Sequence, residues 1–290
     1  MQIRRLPAFA GAQWVFDALR LLKRSPLGFG MLGAIYAVLS LGTAVLAAAS
    51  PDIAALLQLV SFVIAALLVA GMIYAAQEVD HGRGASLGAL LASLGDGKGE
   101  RMFRTLVAQA VFTLVLLGLT ALLIGQENLE KAMVVVAEIQ KETQAGRQVD
   151  PALLQQSSIA RVVVGGVVVM ALSSVLFLFT LTVLPDMMLA GQSLGSALRR
   201  GIAAALRNLP AMLLCFVLGF VLLMVISIGF GIVLGIAQQL VGEAVAVLGT
   251  ALLFGFFMCL IAGTMYFAWK GLLGDRAADD SSANASGVAM

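Results

Sequence analysis

Six uninterrupted apolar runs constrain this chain more than any other feature: Leu27–Ala49, Ile53–Ala76, Thr105–Ile124, Val162–Leu184, Ala211–Ile236 and Ala244–Ala268. Each is long enough to cross a hydrocarbon core, which takes about 20 apolar residues as helix. None contains a Lys, Arg, Asp or Glu; Asp186 and Glu243 stand at the edges of two of them. In lipid every backbone N–H and C=O must be satisfied within its own segment, so each run is expected to be a helix. A β-barrel would need short strands of alternating polarity instead. Composition points the same way, with 61% hydrophobic and 12% charged residues, where soluble domains carry about 25% charged. A water-soluble globular domain is excluded.

The basic residues set the orientation. With the N-terminus inside, the inner segments hold Arg4, Arg5, Arg20, Lys23 and Arg24, then Arg83, Lys98, Arg101 and Arg104, then Arg199, Arg200 and Arg207, and last Lys270 and Arg276. The remaining ones, Lys131, Lys141, Arg147 and Arg161, share one outer loop with Glu127, Glu130, Glu138, Glu142 and Asp150. The expected fold is therefore all-α, a polytopic bacterial inner-membrane protein with six transmembrane helices, N-in and C-in. Ala47-Ala48-Ala49 looks like a signal-peptide cleavage site, but the run before it is longer than a signal h-region and Pro51 follows at once, so the first run is read as a retained span.

The segments divide as a cytoplasmic amphipathic stretch (1–26), spans one and two (27–76), an inner loop with an amphipathic helix (77–104), span three (105–124) and an outer helical hairpin (125–161). Span four (162–190), a second inner amphipathic helix (191–210), spans five and six (211–268) and a disordered inner tail (269–290) complete the chain. Two stretches look repeated. Gly71-Met-Ile-Tyr-Ala-Ala-Gln77 matches Gly263-Thr-Met-Tyr-Phe-Ala-Trp269 at the ends of spans two and six, and Ser86-Leu-Gly-Ala-Leu90 matches Ser193-Leu-Gly-Ser-Ala-Leu198. The implied unit is a surface helix followed by two spans, and an even number of spans makes the three repeats parallel rather than inverted.

Periodicity supports the surface helices. Trp14, Ala18, Leu21 and Leu22 share one side of the first, with Asp17, Arg20 and Arg24 opposite; Leu87, Leu90, Leu91 and Leu94 mark the second; Leu194, Ala197, Leu198, Ile202, Ala205, Leu206 and Leu209 mark the third. Ser86 and Ser193 are expected N-caps, and Pro26 and Pro210 end each helix where the chain turns into the bilayer. Arg20, Lys23, Arg24, Arg199, Arg200 and Arg207 are the candidate contacts to lipid phosphates.

Spans five and six carry small residues at spacings of four, Ser227, Gly231 and Gly235 on one and Ala251, Gly255, Cys259 and Gly263 on the other. Such rows allow close helix approach in lipid, so a tight hairpin between them is expected. The outer hairpin has a helix over Gln126–Ala145 and a second one opening at Asp150-Pro151, with an apolar side read first as packing on its own second arm and second as a dock for another membrane or periplasmic protein.

Residues able to do chemistry are sparse. Gln109, Ser173, Ser174, Thr180 and Asp186 are the candidates for a polar path, though Asp186 is read first as an interfacial ion-pair partner. Cys215 and Cys259 sit inside apolar runs as packing residues, and the lone His81 reads as a solvated loop residue, so no metal or cofactor is expected. Gly95-Asp-Gly-Lys-Gly99 lacks the strand and the Lys-Ser/Thr ending of a phosphate loop. An enzyme is the least expected class, and nucleic acid is not an expected partner.

The surface-helix, proline, span pattern in Arg20-Leu-Leu-Lys-Arg-Ser-Pro26 and Arg207-Asn-Leu-Pro210 resembles a broad group of proteobacterial six-span inner-membrane families, near the YciC-like proteins and the membrane domain attached to some glycerophosphodiesterases. The resemblance implies location and architecture and carries no catalytic residues. The leading expectation is a lipid- or protein-binding accessory factor that organises the envelope; the alternative is a transporter or channel for a small or lipid-like solute.

Overall fold

In a computed structural model of the chain, the described residues are 4–50, 54–86, 88, 98–125, 127, 128, 134, 135 and 157–274. They are all-helical, without a strand among them. The helices are α1 (Ala10–Arg24), α2 (Pro26–Ala49), α3 (Ala54–Asp80), α4 (Lys98–Ile124), α5 (Ser157–Leu189), α6 (Leu194–Arg207), α7 (Leu209–Val241) and α8 (Glu243–Leu272). Four of them, α2, α3, α7 and α8, contain stretches long and apolar enough to cross a membrane. The apolar stretches described in α4 and α5 are shorter: Thr113–Ile124, Val164–Ser174 and Thr180–Leu189. The expected helix from Leu87 to Leu94, the Gly95–Gly99 turn, most of the outer hairpin and the tail beyond Gly274 lie outside the described residues.

The chain forms two compact units. Ala108–Phe177 is one, built from α4 and α5; Met1–Val107 with Leu178–Met290 is the other. In the smaller unit, a Cβ on Gly165 of α5 would press on the side chain of Ile124 at the end of α4. The hydroxyls of Ser173 and Ser174 donate to the carbonyls of Val169 and Met170, one turn back on their own helix. Serine in an apolar helix satisfies itself this way when no other acceptor is near.

The larger unit is organised around the last five turns of α8. From Gly255 to Leu272 this helix is packed by α1, α2, α3 and the first turns of α7. Small residues permit the approach: a Cβ on Gly255 would collide with the backbone carbonyl of Gly33 in α2, and one on Gly263 would meet Ala18 of α1. Gly11 of α1 lies equally close to the backbone of Ala211 in α7. Without a hydrophobic drive inside lipid, such contacts are what hold apolar helices together.

The expected hairpin between the two small-residue rows is corrected here. The α8 row faces α2 and α1, whereas a Cβ on Gly231 or Gly235 of α7 would meet nothing within 4 Å. α7 and α8 touch elsewhere, Gly249 against the side chain of Leu234. The reversal between them takes a single residue, Gly242, whose φ of +113° is a conformation that side-chain-bearing residues seldom adopt.

α1 buries the stripe its periodicity marked, Trp14, Val15, Ala18, Leu21 and Leu22. α6 does not. It buries Ala197, Gly201, Ala204 and Ala205, while Ile202, Leu206 and Leu209 are exposed. In an aqueous setting a leucine stripe must turn inward, but in lipid large apolar side chains face outward at no cost and the small ones make the close contact. Ser193 occupies the N-cap position of α6 without a capping side-chain bond; its hydroxyl lies 3.1 Å from that of Ser196. Pro26 and Pro210 open α2 and α7 rather than close the helices before them, since a missing N–H costs nothing in a first turn.

Candidate functional site

At the Leu272 end of α8, polar side chains from four helices, α3, α5, α6 and α8, are tied together inside an otherwise apolar unit. Asp186 is 0% exposed. It sits one residue past Pro185, which lies within α5. Its Oδ1 accepts from Trp269 Nε1 at 3.0 Å and pairs with Arg200 of α6 at 3.3 Å. Oδ2 is buried and accepts no bond among the described residues. Nearby, Tyr266 Oη and Lys270 Nζ of α8 both donate to Asp80 Oδ2 of α3, each at 2.8 Å. Tyr74 Oη of α3 donates to the carbonyl of Met188, 2.9 Å away. Buried charge is tolerable only when paired and hydrogen-bonded, and these pairs sit where the helices leave the apolar zone.

This cluster revises one expectation. Arg200, placed among the lipid-phosphate contacts, turns inward to Asp186 and is only 20% exposed at its side chain. Of the two readings of Asp186, polar path and ion-pair partner, the ion pair is the one the geometry shows. Thr180 and Thr182, on the same helix, each have bonding partners of their own. The Gln109 side chain lies outside the described residues. Ser173 and Ser174 are committed to their own helix, as above.

A second tie closes the ends of the unit. Asn208, the buried residue between α6 and α7, accepts from the Leu6 N–H at 2.7 Å and donates to the carbonyls of Arg4 and Ala204. The Arg4 guanidinium donates in turn to the carbonyl of Gly274. One amide thereby satisfies backbone groups of the N-terminal strand of chain and of α6 together. Nothing in the sequence singled out Asn208 except that it is the polar residue at a helix break before proline. Tyr74 and Tyr266 were visible as matched positions of two span ends, though not as donors.

The other candidate phosphate contacts face outward. Arg20 is exposed and pairs with Asp17 at 3.0 Å; Lys23, Arg24, Arg199 and Arg207 are exposed. They share their helix faces with large apolar side chains: Phe9 and Phe16 at 61% and 47% exposure on α1, Ile202 and Leu206 on α6. His81 is exposed with Nδ1 2.7 Å from the carbonyl of Gln77, and no group of three metal-binding side chains occurs among the described residues.

Two crevices open on the larger unit. One, of about 480 Å³, lies between α1, α2 and α8 and is lined by Leu22, Phe29, Gly30, Leu252 and Phe256, with Lys23 its one charged side chain. Cys259 contributes to its wall, with Sγ 3.4 Å from the Phe29 carbonyl. The other, wider and more open at about 820 Å³, runs between α2, α7 and the start of α8; Ser40, Ser227, Gln238, Glu243 and Thr250 supply its polar groups, and Gly231 and Ala251 lie along it. Set against family models, curated proteins and solved structures, the chain matches none of them.

Proposed function

We propose that this chain is an integral inner-membrane protein that binds lipid or a partner protein in an accessory, envelope-organising role, without chemistry of its own. In this reading it crosses the membrane six times, N-in and C-in, as three parallel units of one basic surface helix and two spans. Two likenesses support the repeat. α1 and α6 are each short and basic at their ends, and each is followed after one polar residue, Ser25 or Asn208, by a long apolar helix with proline in its first turn. Tyr74 and Tyr266, at matched positions, each bond to a neighbouring helix. The same pattern supports kinship with the YciC-like proteins and the glycerophosphodiesterase-associated membrane domain, and residues 125–161 are the proposed surface for a second membrane or periplasmic protein.

The observation that carries the lipid reading is the outward face of α1 and α6. Each has one side packed on apolar helices and the other set with exposed Phe, Ile or Leu beside Arg and Lys. That combination suits the boundary between headgroups and acyl chains, where each basic residue near an anionic surface contributes about 1 kcal/mol. The protein reconstituted into vesicles of phosphatidylglycerol should melt higher than in phosphatidylcholine, and Arg199→Gln with Arg207→Gln should narrow that gap. A gap of the same size in the double variant would defeat the reading.

The transport alternative draws on the wider groove, whose Ser40, Ser227, Gln238 and Thr250 offer polar groups along apolar helices. Its mark would be solute flux in proteoliposomes that Ser227→Leu reduces.

A further inference from the structure

We infer that the crevice between α1, α2 and α8 is a lipid-tail site: it takes one acyl chain of an anionic phospholipid whose phosphate rests on Lys23. The inference rests on the lipid-binding reading above and gives it a place. The volume, about 480 Å³, falls within the range of small-molecule sites, roughly 300–1,000 Å³. Its walls are aliphatic and aromatic, from Leu22 and Phe29 to Leu252 and Phe256, so water inside would find few partners while a hydrocarbon chain would find many.

Charge is confined to one end. Lys23 stands in the last turn of α1, beside Arg24 and just before α2 begins. A lining with a single cation at one end and apolar walls beyond it matches an amphiphile with an anionic head, and it does not match a transmembrane helix, which is apolar throughout its width.

The glycines of α2 sharpen the argument. Gly33 is explained by its contact with Gly255: a Cβ there would stand 3.1 Å from the Gly255 carbonyl, tighter than an ordinary contact. Gly30 has no such reason: it lines the crevice, it is exposed, and a Cβ there would meet nothing within 4 Å. Glycine inside a helix costs about 1 kcal/mol relative to alanine. Here its missing side chain keeps the crevice open.

The test uses the full chain purified in mild detergent and exchanged against phosphatidylglycerol, with bound lipid read by native mass spectrometry and extraction. Gly30→Leu places a side chain in the crevice with its Cβ clear of neighbouring atoms, and it should lower retained phosphatidylglycerol about tenfold or more at an unchanged melting temperature. Lys23→Gln should lower it about fivefold while leaving phosphatidylcholine uptake unaltered. A Gly30→Leu protein that keeps its melting temperature and its lipid overturns the site. In that event loss of lipid in the Arg199→Gln, Arg207→Gln protein would leave the broader reading standing, and its retention there too would remove both. A Gly30→Leu protein that loses its melting transition defeats the claim of open space at residue 30, and with it the site.

Discussion

The two halves of α8 are both strongly apolar and have opposite surroundings. From Glu243 to Phe254 the helix is largely exposed, and the neighbouring stretch of α7 shows Ile232, Val233, Ile236, Leu240 and Val241 on its surface. From Gly255 to Leu272 the same helix is the centre of the unit, with Met265, Tyr266, Ala268 and Leu272 buried. Hydrophobicity cannot separate the two, because lipid accepts either face. What separates them is close backbone approach at Gly255 and Gly263 and the polar ties at Tyr266, Trp269 and Lys270. In a membrane, small residues and hydrogen bonds decide which apolar surface meets protein.

Substitutions at the two ends should therefore differ sharply. Gly255→Leu drives a side chain into the Gly33 carbonyl and should destabilise the protein by about 3 kcal/mol or more, whereas Gly231→Leu, facing open space, should leave thermal unfolding in detergent unchanged. Equal shifts for the pair would erase the contrast. Asp186→Ala strips a buried partner from Arg200 and Trp269 and is expected to cost about 3 kcal/mol, since breaking one side of a buried pair leaves the other uncompensated. Recovery of stability in an Asp186→Ala, Arg200→Met double variant would identify the stranded guanidinium as the cause.

Smaller effects fall at the edges of the packed half. Asn208→Ala removes three hydrogen bonds to backbone groups and should lower stability by about 2 kcal/mol. It should also free the segment around Arg4 and Leu6, visible as faster proteolysis there; protection equal to wild type would contradict the tie. Asp80→Asn weakens the half-exposed pair with Lys270 but can keep the Tyr266 bond, so about 1 kcal/mol is expected, read in the same unfolding assay.

Much of this architecture was legible in the linear chain. The six apolar runs coincide with α2, α3, α4, α5, α7 and α8, and the α1 stripe of Trp14, Ala18, Leu21 and Leu22 is buried as its spacing required. The failures share one physical origin. A row such as Gly255, Cys259 and Gly263 states that something approaches closely, but its spacing is silent about which helix does so; α2 and α1 do, and α7 does not. Arg200 and Asp186 lie in different helices, so their pairing carries no local signature, and the crevice at Gly30 depends on three helices meeting.

The most direct measurement is hydrophobic footprinting from within the bilayer, with a lipid-soluble carbene precursor and peptide-level mass spectrometry. The account predicts heavy labelling at Ile232, Val233, Ile236, Val247 and Leu248, and protection at Met72, Ile73, Met265 and Tyr266. Labelling of equal strength at both sets would contradict the division of this unit into a lipid-facing half and a protein-packed half.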